Sequence, residues 1–83
     1  MSEIKKLRKK IDELSLRIVE LLLERRKLAE QVIAEKRKFQ QASWDPQRED
    51  EILQALTENL SDSEKKYIVE IFKTVFVCTR GGQ

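Results

Sequence analysis

The residues of this chain that could do chemistry are cations placed where a structural pattern asks for something else. Apolar residues recur at Ile4, Leu7, Ile11, Leu14, Ile18 and Leu21 and resume at Leu28 and Val32, in alternating steps of three and four. Position 25 falls in that series, and it is an arginine. A buried cation without a partner is very unfavourable. Arg25 therefore either reaches solvent or a carboxylate along its own stem, or faces an anionic ligand held between helices. Lys36 follows eleven residues later. On a helix it lies about 20° around the axis from Arg25 and about 16 Å along it. Two extended side chains at that spacing would bracket one small dianion, although a lysine in a charge-rich helix is ordinarily solvated. Arg8 is roughly 25 Å before Arg25 on the same helix. It meets Arg25 only across an antiparallel partner helix; otherwise it is one more cation among Lys5, Lys6, Lys9 and Lys10. Downstream, Asp45-Pro46-Gln47-Arg48-Glu49 puts opposite charges in one helical turn. Asp45 as a cap and Glu49 near the positive end of the dipole are ordinary, whereas Arg48 opposes the dipole and needs a ligand, an ion-pair partner or simple tolerance.

The rest of the composition narrows the chemistry. The 83 residues include no histidine and one cysteine, Cys78. That excludes Ser-His-Asp and Cys-His catalysis, a histidine metal site, an internal disulfide and a thiolate cluster. Two glycines leave no phosphate-cradling loop. No apolar run approaches the length of a membrane span. The charged N-terminus does not read as a signal peptide, so the expected compartment is a reducing, cytoplasmic one. The net charge of +2 argues against a general nucleic-acid binder. It hides a split: positions 2–39 hold twelve Lys and Arg against seven Asp and Glu (+5), and the remainder hold five against eight (−3). The basic side suits an anionic ligand, and the acidic side reads mostly as solvated surface.

The elements that must position these cations are helices. Ser2 to Phe39 contains neither Gly nor Pro, and Ser2 suits an N-cap. A first helix over about residues 3–38 would be roughly 54 Å long, far beyond a compact chain of this size, whose radius of gyration is about 12 Å. Its seam needs a partner, and a second copy of the same helix is the simplest. The alternative is a helix that breaks midway and folds back, for which no breaker is present. Asp45-Pro46 starts a second helix, about 46–58, after a short polar link. Ser61-Asp62-Ser63-Glu64 is a capping box that starts a third, about 62–79. The β-branched and aromatic run from Val75 to Thr79 admits a strand, but Ile68, Ile71, Phe72 and Val75 fit the helical period better. Gly81-Gly82 is expected to loosen or end the helix and leave Gln83 on a frayed terminus. The reading is a single all-α domain over 1–83, three helices per chain, intertwined as a homodimer.

These residues together resemble the all-helical chorismate mutase family over nearly the whole chain. The resemblance rests on Leu7-Arg8-Lys9-Lys10-Ile11-Asp12, on the segment from Leu21 to Ala29 with Glu24-Arg25-Arg26-Lys27 at its centre, on Lys36, and on Asp45-Pro46-Gln47-Arg48-Glu49. It implies a dimer of three-helix chains whose pockets are built from both subunits. It also implies isomerisation of chorismate to prephenate, a Claisen rearrangement toward phenylalanine and tyrosine. The reaction needs no cofactor, no metal, no nucleophile and no proton transfer.

The same resemblance implies the site residues. Arg25 and the other subunit's Arg8 would clamp the two substrate carboxylates, and Lys36 would hydrogen-bond the ether oxygen. Glu49 would accept from the ring hydroxyl, and Asp45 and Arg48 would support that end of the pocket. Val32 would line the apolar wall, Thr79 would place a hydroxyl near a carboxylate, and Gln83 would donate to the ether oxygen. The family's third helix commonly continues further, so the chain is expected to be truncated, part of a fusion, or ordered at its end only on ligand binding. Two other readings stand beside this one. An isochorismate pyruvate lyase shares the fold, but its relatives usually lack the Asp-Pro-x-Arg-Glu signature. A non-catalytic helical dimerisation module would leave Arg25 and Lys36 merely solvated or ion-paired.

Overall fold

The computed structural model describes residues 2–83 and contains three helices. Helix α1 spans Glu3–Lys38, α2 Pro46–Thr57 and α3 Asp62–Cys78. The Val75–Thr79 run is thus helical as far as Cys78. Residues 58 and 79, read above as the last helical positions, are instead the C-caps Glu58 and Thr79. Thr79 has left helical geometry, at φ −124° and ψ 31°, and its hydroxyl donates to the Val75 carbonyl at 2.9 Å.

Each start follows from a cap. Ser2 accepts from the Lys5 amide, Asp45 from the Arg48 amide, and Ser61 from the Glu64 amide. In the last case Glu64 returns the bond to the Ser61 amide, closing the capping box. Those bonds hold the Glu64 carboxyl below the ordinary carboxylate range. The end of α1 is made without glycine. Gln40 adopts φ 53°, its amide donates to the Arg37 carbonyl, and the Gln41 amide donates to the Lys36 carbonyl at 2.9 Å. That is a Schellman stop, which turns the chain sharply away from a helix that nothing else in the sequence interrupts.

α1 is continuous over 36 residues, and the molecule measures 58 × 27 × 17 Å with a radius of gyration of 16.3 Å. α2 packs on α3, while α1 meets the tail, where Gly82 lies against Ala29, and reaches α3 through Arg25 over the Phe76 ring. The first half of α1, residues 3–20, is exposed throughout. Ile4, Leu7, Ile11, Leu14, Ile18 and Leu21 are each about half exposed or more. Ala29 and Phe76 alone among the described apolar side chains are buried. The accessible surface is 7254 Å², against about 5,200 Å² for an ordinary monomer of this mass. The extended shape and the bare seam are consistent with an intertwined dimer. Among the described residues, no helix is long and apolar enough to cross a membrane.

The tail corrects the expectation of a frayed end. Gly81 and Gly82 are buried and Gln83 is half-buried, its side-chain amide bonded to the end of α3. Both glycines are there for close approach. A Cβ on Gly82 would lie 2.5 Å from the Ala29 carbonyl oxygen and 2.6 Å from the Ala29 Cβ; one on Gly81, already at φ +92°, would lie 2.7 Å from the Ser43 carbonyl oxygen. The obstacles are backbone and cannot swing aside. Gly82→Ala should therefore lift the tail from α1 and lower stability by about 1–3 kcal/mol, the usual range for overpacking. The measurement is the urea midpoint, and an unchanged midpoint would mean that the tail does not rest on Ala29.

Candidate active site

The tail seats Gln83 against Arg25. Arg25 Nη1 donates to Thr79 Oγ1 at 3.0 Å, and Nη2 donates to Gln83 Oε1. Its guanidinium carbon lies 5.7 Å from the centre of the Phe76 ring. From α2, Arg48 Nε makes a long contact of 3.5 Å with the backbone carbonyl of Gln83. Burial first, and then the like charge of Arg48, push the Arg25 pKa below its ordinary value. Among the described residues neither arginine pairs with a side-chain carboxylate. Of the two readings of Arg25, escape to a carboxylate does not occur. The cation stays half-buried and is met by neutral oxygens.

The two arginines line one cavity of about 360 Å³ between α1, α2 and α3. Val32, Ile52, Leu56 and Phe72 supply its apolar wall, and Gln83 closes one side. Two unneutralised guanidinium forks against an apolar wall suit a small ring compound carrying carboxylates. Lys36 does not line this cavity. Its Nζ donates to the Ser43 carbonyl in the α1–α2 link at 3.2 Å. It lies in a neighbouring cavity of about 510 Å³ whose wall Val32 shares, so the two spaces adjoin along α1.

Five other expected residues lie around these cavities or away from them. Asp45 is exposed and serves as the α2 cap, so it fixes the backbone of Arg48. Glu49 is buried; Oε1 lies 3.6 Å from Arg80 Nη2, and Oε2 is buried without a partner. Arg8 is exposed on the bare part of α1, about seventeen residues of helix from Arg25, and the chain brings nothing to it. Thr79 contributes through Arg25. Gln83 is held, but its amide nitrogen donates to the Phe76 carbonyl and the Thr79 carbonyl at 3.1 and 2.8 Å. Its oxygen, not its hydrogens, faces the arginine.

Arg80 and Trp44 were not singled out in the sequence, although the guanidinium of Arg80 stacks 4.7 Å from the Trp44 ring centre while pairing with Glu49. A cation next to Gly-Gly reads locally as surface; only the turn of the tail brings it over α2. The largest cavity, about 660 Å³ between α1 and α3, lies elsewhere. Its wall is Leu22, Leu23, Tyr67, Ile71, Val75 and Cys78, with Arg25 and Arg26 bordering it. That surface suits helix packing better than chemistry on an anion.

A sequence profile of the family described as chorismate mutase type II matches residues 7–83. No curated protein and no solved structure matches the chain.

Proposed function

Because the chain belongs to the chorismate mutase type II family, an isomerase family, we propose that it converts chorismate to prephenate. The observation that carries this reading is the pair Arg25 and Arg48, without a side-chain carboxylate partner among the described residues and converging on Gln83 at the edge of an apolar-walled cavity. A dicarboxylate entering there supplies the charge that the two cations lack. In the rearrangement the ether C–O bond breaks as a C–C bond forms within one molecule, so no group is transferred to the protein. What the protein supplies is a compact reactive conformer and a charge at the ether oxygen.

The roles follow. Arg25, steadied by Thr79 and backed by the Phe76 ring, grips one carboxylate. Arg8 of the partner subunit grips the other, as the resemblance to the family implies. Dimerisation accounts equally for the bare seam and for roughly 2,000 Å² of surface beyond that of an ordinary monomer of this mass. Lys36 leaves the Ser43 carbonyl, passes Val32 and donates to the ether oxygen. Glu49 offers its unpartnered Oε2 to the ring hydroxyl. Asp45 and Arg48 support that end, Asp45 through the cap. Gln83 reaches the ether oxygen as a donor only once its amide leaves the end of α3, which the incoming carboxylate favours by taking Arg25 from it. The reaction lies on the route to phenylalanine and tyrosine and takes place in the cytoplasm.

The test is loss of chorismate absorbance on mixing with the protein, with prephenate as product. A folded, dimeric preparation that turns over neither chorismate nor isochorismate above buffer would leave the dimerisation module. Pyruvate release from isochorismate, without prephenate from chorismate, would turn the assignment to the lyase.

A further inference from the structure

We propose that Arg80 is a positioning residue for the Glu49 carboxylate, holding one oxygen so that the other is presented to the hydroxyl of the substrate. The proposal rests on the mutase reading and adds a residue to it. Glu49 is 9% exposed, and it is one of only two buried polar residues among those described. The other, Thr57, donates its hydroxyl to the Leu53 carbonyl and is satisfied. Glu49 is satisfied on one side only. Oε1 faces Arg80 at 3.6 Å, and Oε2 has no hydrogen-bond partner. A buried carboxylate oxygen left open is costly unless something donates to it. A substrate hydroxyl is such a donor.

Arg80 differs from a surface ion-pair partner in how it is held. Its guanidinium stacks on Trp44 at 4.7 Å from the ring centre, which fixes the plane of the fork. Trp44 lies in the α1–α2 link directly after Ser43, whose carbonyl oxygen approaches Gly81 too closely for any Cβ. The link and the tail are thus clasped on each other, with Arg80 across the clasp. The same Ser43 carbonyl receives Lys36, and Lys36 and Arg80 line one small cavity of about 190 Å³. Arg80 takes one lobe of the carboxylate and leaves the second in a fixed direction. Without it, Glu49 would rotate toward solvent to be hydrated, and the acceptor would lose its aim.

A double-mutant cycle on chorismate turnover separates aim from bulk stability, with Glu49→Gln, Arg80→Gln and the double variant compared with wild type. Arg80→Gln should lower kcat roughly 10- to 100-fold, as misplacing a reacting group by about an ångström does, with KM nearly unchanged. In the Glu49→Gln background the same substitution should cost less than twofold, because the group it aims is already gone. Arg80→Lys, which keeps the charge and loses the stacked fork, should recover part of the loss. Thermal unfolding of each variant accompanies the kinetics, and if Arg80→Gln fails to fold, Arg80→Lys carries the cycle. Active wild type with Arg80 losses that multiply with those of Glu49→Gln, or Arg80→Gln within twofold of wild type, overturns the positioning role alone. Wild type without turnover overturns the mutase reading and this proposal together.

Discussion

Lys36→Ala is expected to lower chorismate turnover by about 3–4 kcal/mol of barrier, or roughly 10²–10³-fold, the cost of deleting one donor aimed at developing negative charge. The expectation follows from what the reaction leaves for a protein to do. No side chain attacks and no proton moves, so most of the acceleration beyond conformer selection depends on charge at the ether oxygen as the C–O bond lengthens. Among the assigned residues Lys36 is the cation left to approach that oxygen, because Arg25 is committed to a carboxylate, Arg48 to supporting the Glu49 end of the pocket and Arg80 to Glu49. Its resting bond is a single one to a neutral acceptor, the Ser43 carbonyl, hence readily exchanged for an oxygen that is gaining negative charge. The loss should appear in kcat, since the charge it answers is absent from bound chorismate. Lys36 packs in no core and caps no helix, so the variant should keep its dimeric mass by light scattering and its thermal midpoint. Turnover within a few-fold of wild type would take Lys36 out of the mechanism.

How much of this was legible in the sequence differs from one segment to the next. The long helix was readable because its apolar residues step by three and four without a breaker, and the two later starts because Asp45-Pro46 and Ser61–Glu64 carry their caps locally. These are properties of neighbouring residues. The turn at Gln40 was not readable, since a non-glycine at positive φ has no strong local signature. The packing of the tail was not readable for a related reason. Gly81-Gly82 signals freedom when only the chain itself is considered, but its role here is absence of bulk against Ala29 and Ser43, which are distant in sequence. Arg80 was overlooked on the same ground, because its partners Glu49 and Trp44 are brought to it by tertiary packing alone. Arg25 stood out because a charge interrupts a period, and that anomaly led to the cavity. The direction of the Gln83 amide was beyond any sequence pattern, as it depends on which α3 carbonyls remain unpaired at the end of that helix.

The same distance that separates Arg8 from Arg25 yields the second large effect. The two lie about 25 Å apart on one rigid helix, so within a chain they cannot touch one small molecule. If Arg8 of the partner subunit completes the pocket, Arg8→Ala and Arg25→Ala should each lower kcat/KM by about 2–5 kcal/mol, the cost of leaving a buried carboxylate without its cation. Their mixture should behave differently from either. In a heterodimer one pocket receives the intact Arg25 of the first chain and the intact Arg8 of the second, while the other pocket loses both. Unfolding and refolding equal amounts together gives half heterodimers, so about a quarter of wild-type specific activity should return. The same treatment applied to each variant alone should return none, which separates complementation from repair during refolding. Because Arg8 lies outside the apolar series Ile4, Leu7, Ile11, its removal should leave the dimer intact by light scattering. A refolded mixture no more active than its components, with heterodimers shown to form, would mean that each site is built from one chain and that Arg8 has no part in it.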